Sequence, residues 1–160
     1  MEKSLSVPPE TEQKYLAITG RISIVLALFL LAQVFLTVIS EKNSVIYWLL
    51  DVIVFVSIIY CIVLVLKSMK FAKNISSLGY WALKFNDEYV DYVSSFSLRA
   101  TCHIMVVGGI FLAYSGDSKW FIEFIAPFGL TDMLQVLLGL AAATHGVLIL
   151  WKLREEGLDE

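Results

Sequence analysis

Charge is scarce in this chain. Only 17% of its 160 residues are Asp, Glu, Lys or Arg, against about 25% in a soluble domain. Hydrophobic residues make up 58%, where roughly 45–50% is usual, and the mean hydropathy is +0.76. That balance excludes an ordinary water-soluble globule. The net charge of −3 provides no basic face, so nucleic acid is excluded as a partner. Cysteine is limited to Cys61 and Cys102, both in or beside apolar runs. They read as buried thiols, not as a disulfide framework. No glycine-rich phosphate loop is present, because Gly108-Gly109 falls inside an apolar run. No Cys-x2-Cys or His-x3-His spacing marks a metal, and nothing resembles an activated nucleophile, so no enzyme is expected. The N-terminal arm carries Glu2, Glu10 and Glu12, and no small-residue cleavage pattern follows the first apolar run, so no cleavable leader is expected. Internal repeats and low-complexity stretches are also missing.

What remains is four long apolar runs, at 22–39, 45–66, 100–114 and 133–151. A bilayer core of about 30 Å needs roughly 20 helical residues to cross it. Only helices satisfy their own backbone groups in lipid, and none of the runs has the alternation of a barrel strand. The reading is a single transmembrane domain over residues 1–160. It is an all-α, integral membrane, antiparallel four-helix bundle.

Charge then orients it. Lys3, Lys14, Arg21, Lys67, Lys70, Lys73, Lys84, Arg99, Lys152 and Arg154 lie in the arm, the 67–99 connector and the tail, whereas only Lys42 and Lys119 lie in the other two connectors. The excess of positive charge marks the cytoplasmic side, so both termini are expected there, in the cell membrane.

Local signals add detail. Pro8-Pro9 followed by Glu10 and Glu12 predicts a helix from about Glu10 to Ile39, whose first three turns stand in the cytoplasm or lie on the membrane. Asn86 or Asp87 caps a second long helix, from about Asp87 to Tyr114. A stripe of Phe85, Tyr89, Tyr92, Phe96, Arg99, His103, Ile110 and Tyr114 runs along it at helical spacing. Its first half is a cytoplasmic extension of the third span. The acids Asp87, Glu88 and Asp91 read as a solvated face. Trp120 to Ile125 reads as a short interfacial helix ended by Pro127 and Gly129, with Asp132 capping the fourth span.

Three sets of residues are candidates for function. Gly139, Ala142, Ala143 and Gly146 form a small-residue stripe for close helix packing, within the bundle against Gly108 and Gly109 or against another chain. His103 and His145 are expected at similar depth, near Cys61, Cys102 and Thr144, where two imidazoles offer haem b or metal binding. Asp51 is the sole carboxylate inside an apolar run, about 9 Å in and level with Gln33. It is either a proton or cation site of a small oligomeric transporter or channel, or a first-turn residue behind a Tyr47 and Trp48 belt. Beside the lipid bilayer, the expected partner is a second copy or another membrane or cytoplasmic protein.

Asn86-Asp87-Glu88-Tyr89, leading straight into the third span, resembles a group of uncharacterised small bacterial four-span inner-membrane proteins with an Asp-Glu-Arg-like box at this place. Tyr89 stands where the box has arginine. The resemblance covers the second half of the chain. It implies a four-span fold and an inner-membrane address, and no activity. The function expected is therefore non-enzymatic: an accessory subunit, immunity-type or signalling protein that works by helix–helix association.

Overall fold

The computed structural model describes residues 7–39, 44–71 and 74–156. Lys3, Lys42 and Lys73, which contribute to the charge bias, lie outside the described residues. Among these residues the structure is all-helical: α1 (Pro9–Val38), α2 (Val45–Met69), α3 (Ser77–Ala82), α4 (Glu88–Ser115), α5 (Lys119–Ile125) and α6 (Leu130–Glu156). α1, α2, α4 and α6 are each long and apolar enough to cross a membrane. The chain is a multi-pass membrane protein.

Each helix starts where its local chemistry allows. Pro9 opens α1 with its φ already helical and no amide to leave unpaired, and Glu10 and Glu12 complement the positive helix end. Ser44 caps α2 by accepting the Tyr47 N–H at 3.2 Å. Asp87 caps α4 by accepting the Val90 N–H at 2.9 Å. α1 has 30 residues and α4 has 28, so at 1.5 Å each they span about 45 and 42 Å. Both exceed a bilayer core, so each projects well beyond it.

Four details depart from the sequence expectations or go beyond them. The connector after α2 contains α3, a turn and a half that the sequence reading did not anticipate. Ser76 starts it by accepting the Gly79 N–H at 3.0 Å, and Leu83 ends it in the left-handed region at φ 54. The Leu83 carbonyl accepts the Ser94 hydroxyl at 2.7 Å, which holds that strained residue in place. α6 begins at Leu130, so Asp132 is a first-turn residue. Its carboxylate reaches back to the Gly129 N–H at 2.8 Å. The first turns of α1 pack into the protein, with Glu12, Tyr15 and Leu16 buried. Finally, Asp91, expected on a solvated face, accepts the Phe85 N–H at 2.9 Å.

Across the molecule the order is α2, α1, α6, α4. α1 packs on both α2 and α6, α4 packs on α6, and the contact between α1 and α4 is slight. The circuit stays open between α2 and α4. Small residues make the central α1–α6 contact close. A Cβ on Gly146 would sit 2.5 Å from the Gly20 carbonyl oxygen and 3.0 Å from the Ile24 amide, and one on Gly20 would meet Ile149. Gly139 faces Leu31 and Leu30 of α1. The stripe on α6 therefore packs inside the chain, against α1 and not against Gly108-Gly109. Gly108 faces Leu137, and Gly109 looks into open space.

A buried hydrophobic cluster lies at one end. Tyr15 and Leu16 of α1, Ile75 and Phe85 of the connector, Val90 and Val93 of α4, and Ile149 of α6 form it. This head is where the start of α1 and the end of α6 meet.

Candidate functional site

The head is organised around one carboxylate. Glu12 is 0% exposed. One oxygen accepts the Asp87 N–H at 3.0 Å, both lie 3.2 Å from the Asn86 N–H, and the Asn86 side-chain amide adds a contact at 3.3 Å. An ionised carboxylate is costly to bury alone and is tolerated where charge-assisted hydrogen bonds replace water. Here it meets the amides just ahead of α4, at the positive end of that helix. Two neighbours complete the arrangement. Asp91 accepts the Phe85 N–H and Asp87 the Val90 N–H, both at 2.9 Å. Three carboxylates thus satisfy the amides of residues 85, 86, 87 and 90. Of the predicted solvated acids Glu88 is exposed, while Asp87 and Asp91 are half-buried.

Aromatic groups close the head around this knot. The Tyr15 hydroxyl donates to the Tyr80 carbonyl at 2.8 Å, and the two rings stack with centroids 5.5 Å apart. Burial, reinforced by Tyr80, pushes the Tyr15 phenol above its ordinary range. The Tyr89 hydroxyl donates to the Lys152 carbonyl at 2.6 Å, tying α4 to the C-terminal end of α6. Glu12 escaped the sequence reading because it sits in a charged arm. The available signal was Tyr15 and Leu16, three and four residues on, which place an apolar face beside it.

The aromatic stripe of α4 divides in two. Phe85 is buried and Tyr89 half-buried, so its beginning belongs to the head core. The remainder faces outward. Tyr92 is 55% exposed, Phe96 40% and Tyr114 85%, with Arg99, His103, Val106 and Ile110 exposed between them. Tyr92 and Phe96 stack on each other with centroids 6.1 Å apart. From Tyr92 to Ile110 the spacings are four, three, four, three and four residues, so these six side chains, Arg99 and His103 among them, form one seam along the helix.

The histidines do not meet. His103 stands on the exposed face of α4, with Nδ1 against the Arg99 carbonyl at 2.6 Å. His145 is 9% exposed on α6, beside the Ser97 carbonyl, and its Nδ1 has no hydrogen-bond partner. Ser97 and His103 are six residues apart on α4, which is about 9 Å of rise and roughly 240° of turn. The two imidazoles thus lie at different heights and on different faces. This geometry does not fit one haem or one metal between them. Cys102 is exposed and Cys61 half-buried, and no group of three His, Cys, Asp or Glu side chains able to hold a metal occurs among the described residues.

Asp51 points out of the bundle. It is exposed on α2, about two turns beyond the Ser44 cap, with Trp48 exposed beside it. Gln33 is half-buried on α1, and Gln135 is half-buried on α6 with an unpartnered buried Oε1. The Leu31–Gly139 contact puts those two glutamines within about one turn in height. Ala143 is half-buried on α6.

No family model matches the chain, and searches of curated proteins and of solved structures find no match either.

Proposed function

We propose that this is a non-enzymatic protein of a bacterial inner membrane that works by helix–helix association along the outward face of α4. It binds a second copy of itself or a membrane or cytoplasmic protein, in the manner of an accessory subunit, an immunity-type protein or a signalling protein. One observation carries the reading. Apolar side chains facing lipid need no partner, but Tyr92 and Phe96 continue the same seam beyond the apolar run, into the head. An exposed aromatic patch in water marks an interaction surface.

The topology proposed has the head, and with it both termini, in the cytoplasm. Among the described residues Lys14, Arg21, Lys67, Lys70, Lys84, Arg99, Lys152 and Arg154 lie toward the head end, and Lys119 alone lies at the other. That bias supports the orientation. Antiparallel packing of α1 and α6 is supported by their contacts, since Gly20 meets Ile149, Ile24 meets Gly146 and Leu31 meets Gly139.

Extraction of differently tagged copies from native membranes tests the reading. Copies of the chain, or one stoichiometric partner, are expected to co-purify, and a Phe96→Ala, Ile110→Ala double variant to lose them. A solitary chain in gentle detergent and in membranes overturns the proposal.

A further inference from the structure

A groove with a basic mouth runs between α1 and α2, away from the α4 seam. Its compartment nearer the head has a volume of about 340 Å³ and is flanked by Lys14, Arg21 and Lys67. A second compartment of about 320 Å³ shares Arg21 and Tyr60 with the first and continues over Ile24, Leu28 and Val56. Arg21 immediately precedes the first apolar run and Lys67 immediately follows the second. Both cations therefore stand at one bilayer boundary. Neither forms an ion pair among the described residues, whereas exposed Lys14 is 3.6 Å from Glu10.

We propose that this groove binds an anionic phospholipid from the leaflet nearest the head, its phosphate between Arg21 and Lys67 and one acyl chain along Ile24, Leu28 and Val56. The charge argument is local. Two unpaired cations at the headgroup level favour an anionic lipid, and the arginine fork matches phosphate oxygens. The apolar extension selects lipid over a free anion. From Arg21 to Leu28 it reaches seven residues, about 10 Å, toward the bilayer centre, where an inorganic ion gains nothing. Basic mouths between transmembrane helices take such headgroups on general electrostatic grounds.

Native mass spectrometry of the full chain, purified with an equal mixture of phosphatidylglycerol and phosphatidylcholine, tests this. One phosphatidylglycerol per chain is expected to be retained in preference. Each cation near the surface is worth about fivefold, so Arg21→Gln with Lys67→Gln lowers the preference about twenty-five-fold. Arg21→Lys with Lys67→Arg keeps most of it, which separates charge from folding. Leu28→Trp fills the apolar part and lowers retention of both lipids. Equal retention of the two lipids by the natural chain, or an unchanged preference in the double Gln variant, overturns the proposal. So does displacement by inorganic phosphate together with an unaffected Leu28→Trp variant, which leaves a phosphate site only. The measurement in detergent is blind to sidedness and to the α4 surface, so its failure falls on the groove alone.

Discussion

Replacing Glu12 by alanine removes the group that joins the start of α1 to the start of α4. The Asn86 and Asp87 amides then lose their acceptor, and the cap of α4 keeps only Asp87 and Asp91. An amide deprived of its partner costs about 1–3 kcal/mol, with water entry drawing the figure down. Two amides therefore give a loss of about 2–4 kcal/mol for local opening of this end of α4. Since 1.4 kcal/mol is a factor of ten, amide hydrogen exchange over residues 85–91 accelerates roughly thirtyfold to several-hundredfold. Glu12→Gln retains one acceptor oxygen and falls between. Glu10→Ala is the matched control. That residue is exposed and pairs with Lys14 only at 3.6 Å, a contact worth less than about 1 kcal/mol. Exchange mass spectrometry of the three variants in detergent reads the effect directly. Exchange in residues 85–91 that is unchanged in Glu12→Ala, or raised as much in Glu10→Ala, refutes the reasoning.

Further outcomes follow from single contacts. Gly146→Ala drives a methyl group onto the backbone of α1 and lowers stability by about 1–3 kcal/mol, read as a drop in the detergent melting temperature. Gly109→Ala meets open space, so it leaves stability unchanged or raises it by up to about 1 kcal/mol, from helix propensity alone. Tyr89→Phe removes the hydroxyl bound to the Lys152 carbonyl and costs about 1 kcal/mol, with faster proteolysis of the α6 end as a second readout.

The four spans were legible because lipid imposes a length and a polarity on any helix that crosses it, and each run meets both. The Asp87 cap and the length of α4 were legible as well. A capping residue and a periodic aromatic stripe are signals carried within one helix. What the sequence concealed depends on contacts between distant segments. Nothing near Glu12 announces that its partners are residues 86 and 87. Gly20 is a lone glycine in sequence and becomes part of a seam only once α6 lies against it. Within the bundle the sequence offers Gly108-Gly109 as the obvious small-residue partner of the α6 stripe, with another chain as the alternative, yet the packing order puts α1 there. Depth counted from the ends of the apolar runs puts His103 and His145 level. The apolar run of α6 continues into the head, however, so its end marks no boundary, and depth carries no information about which face a side chain occupies. The α3 helix is too short to show a period, so only its Ser76 cap could have flagged it.

The central claim is that the outward face of α4 is a contact surface. Cysteine-directed photo-cross-linking in native membranes, with a maleimide benzophenone, tests it most directly. A single cysteine is placed at Val106→Cys on the seam or at Ile59→Cys on the exposed side of α2, each in a Cys61→Ser, Cys102→Ser background. The account predicts a strong adduct at 106, with a second copy or with one defined partner, and little at 59. Equal adducts at both positions, or none at 106, contradict it.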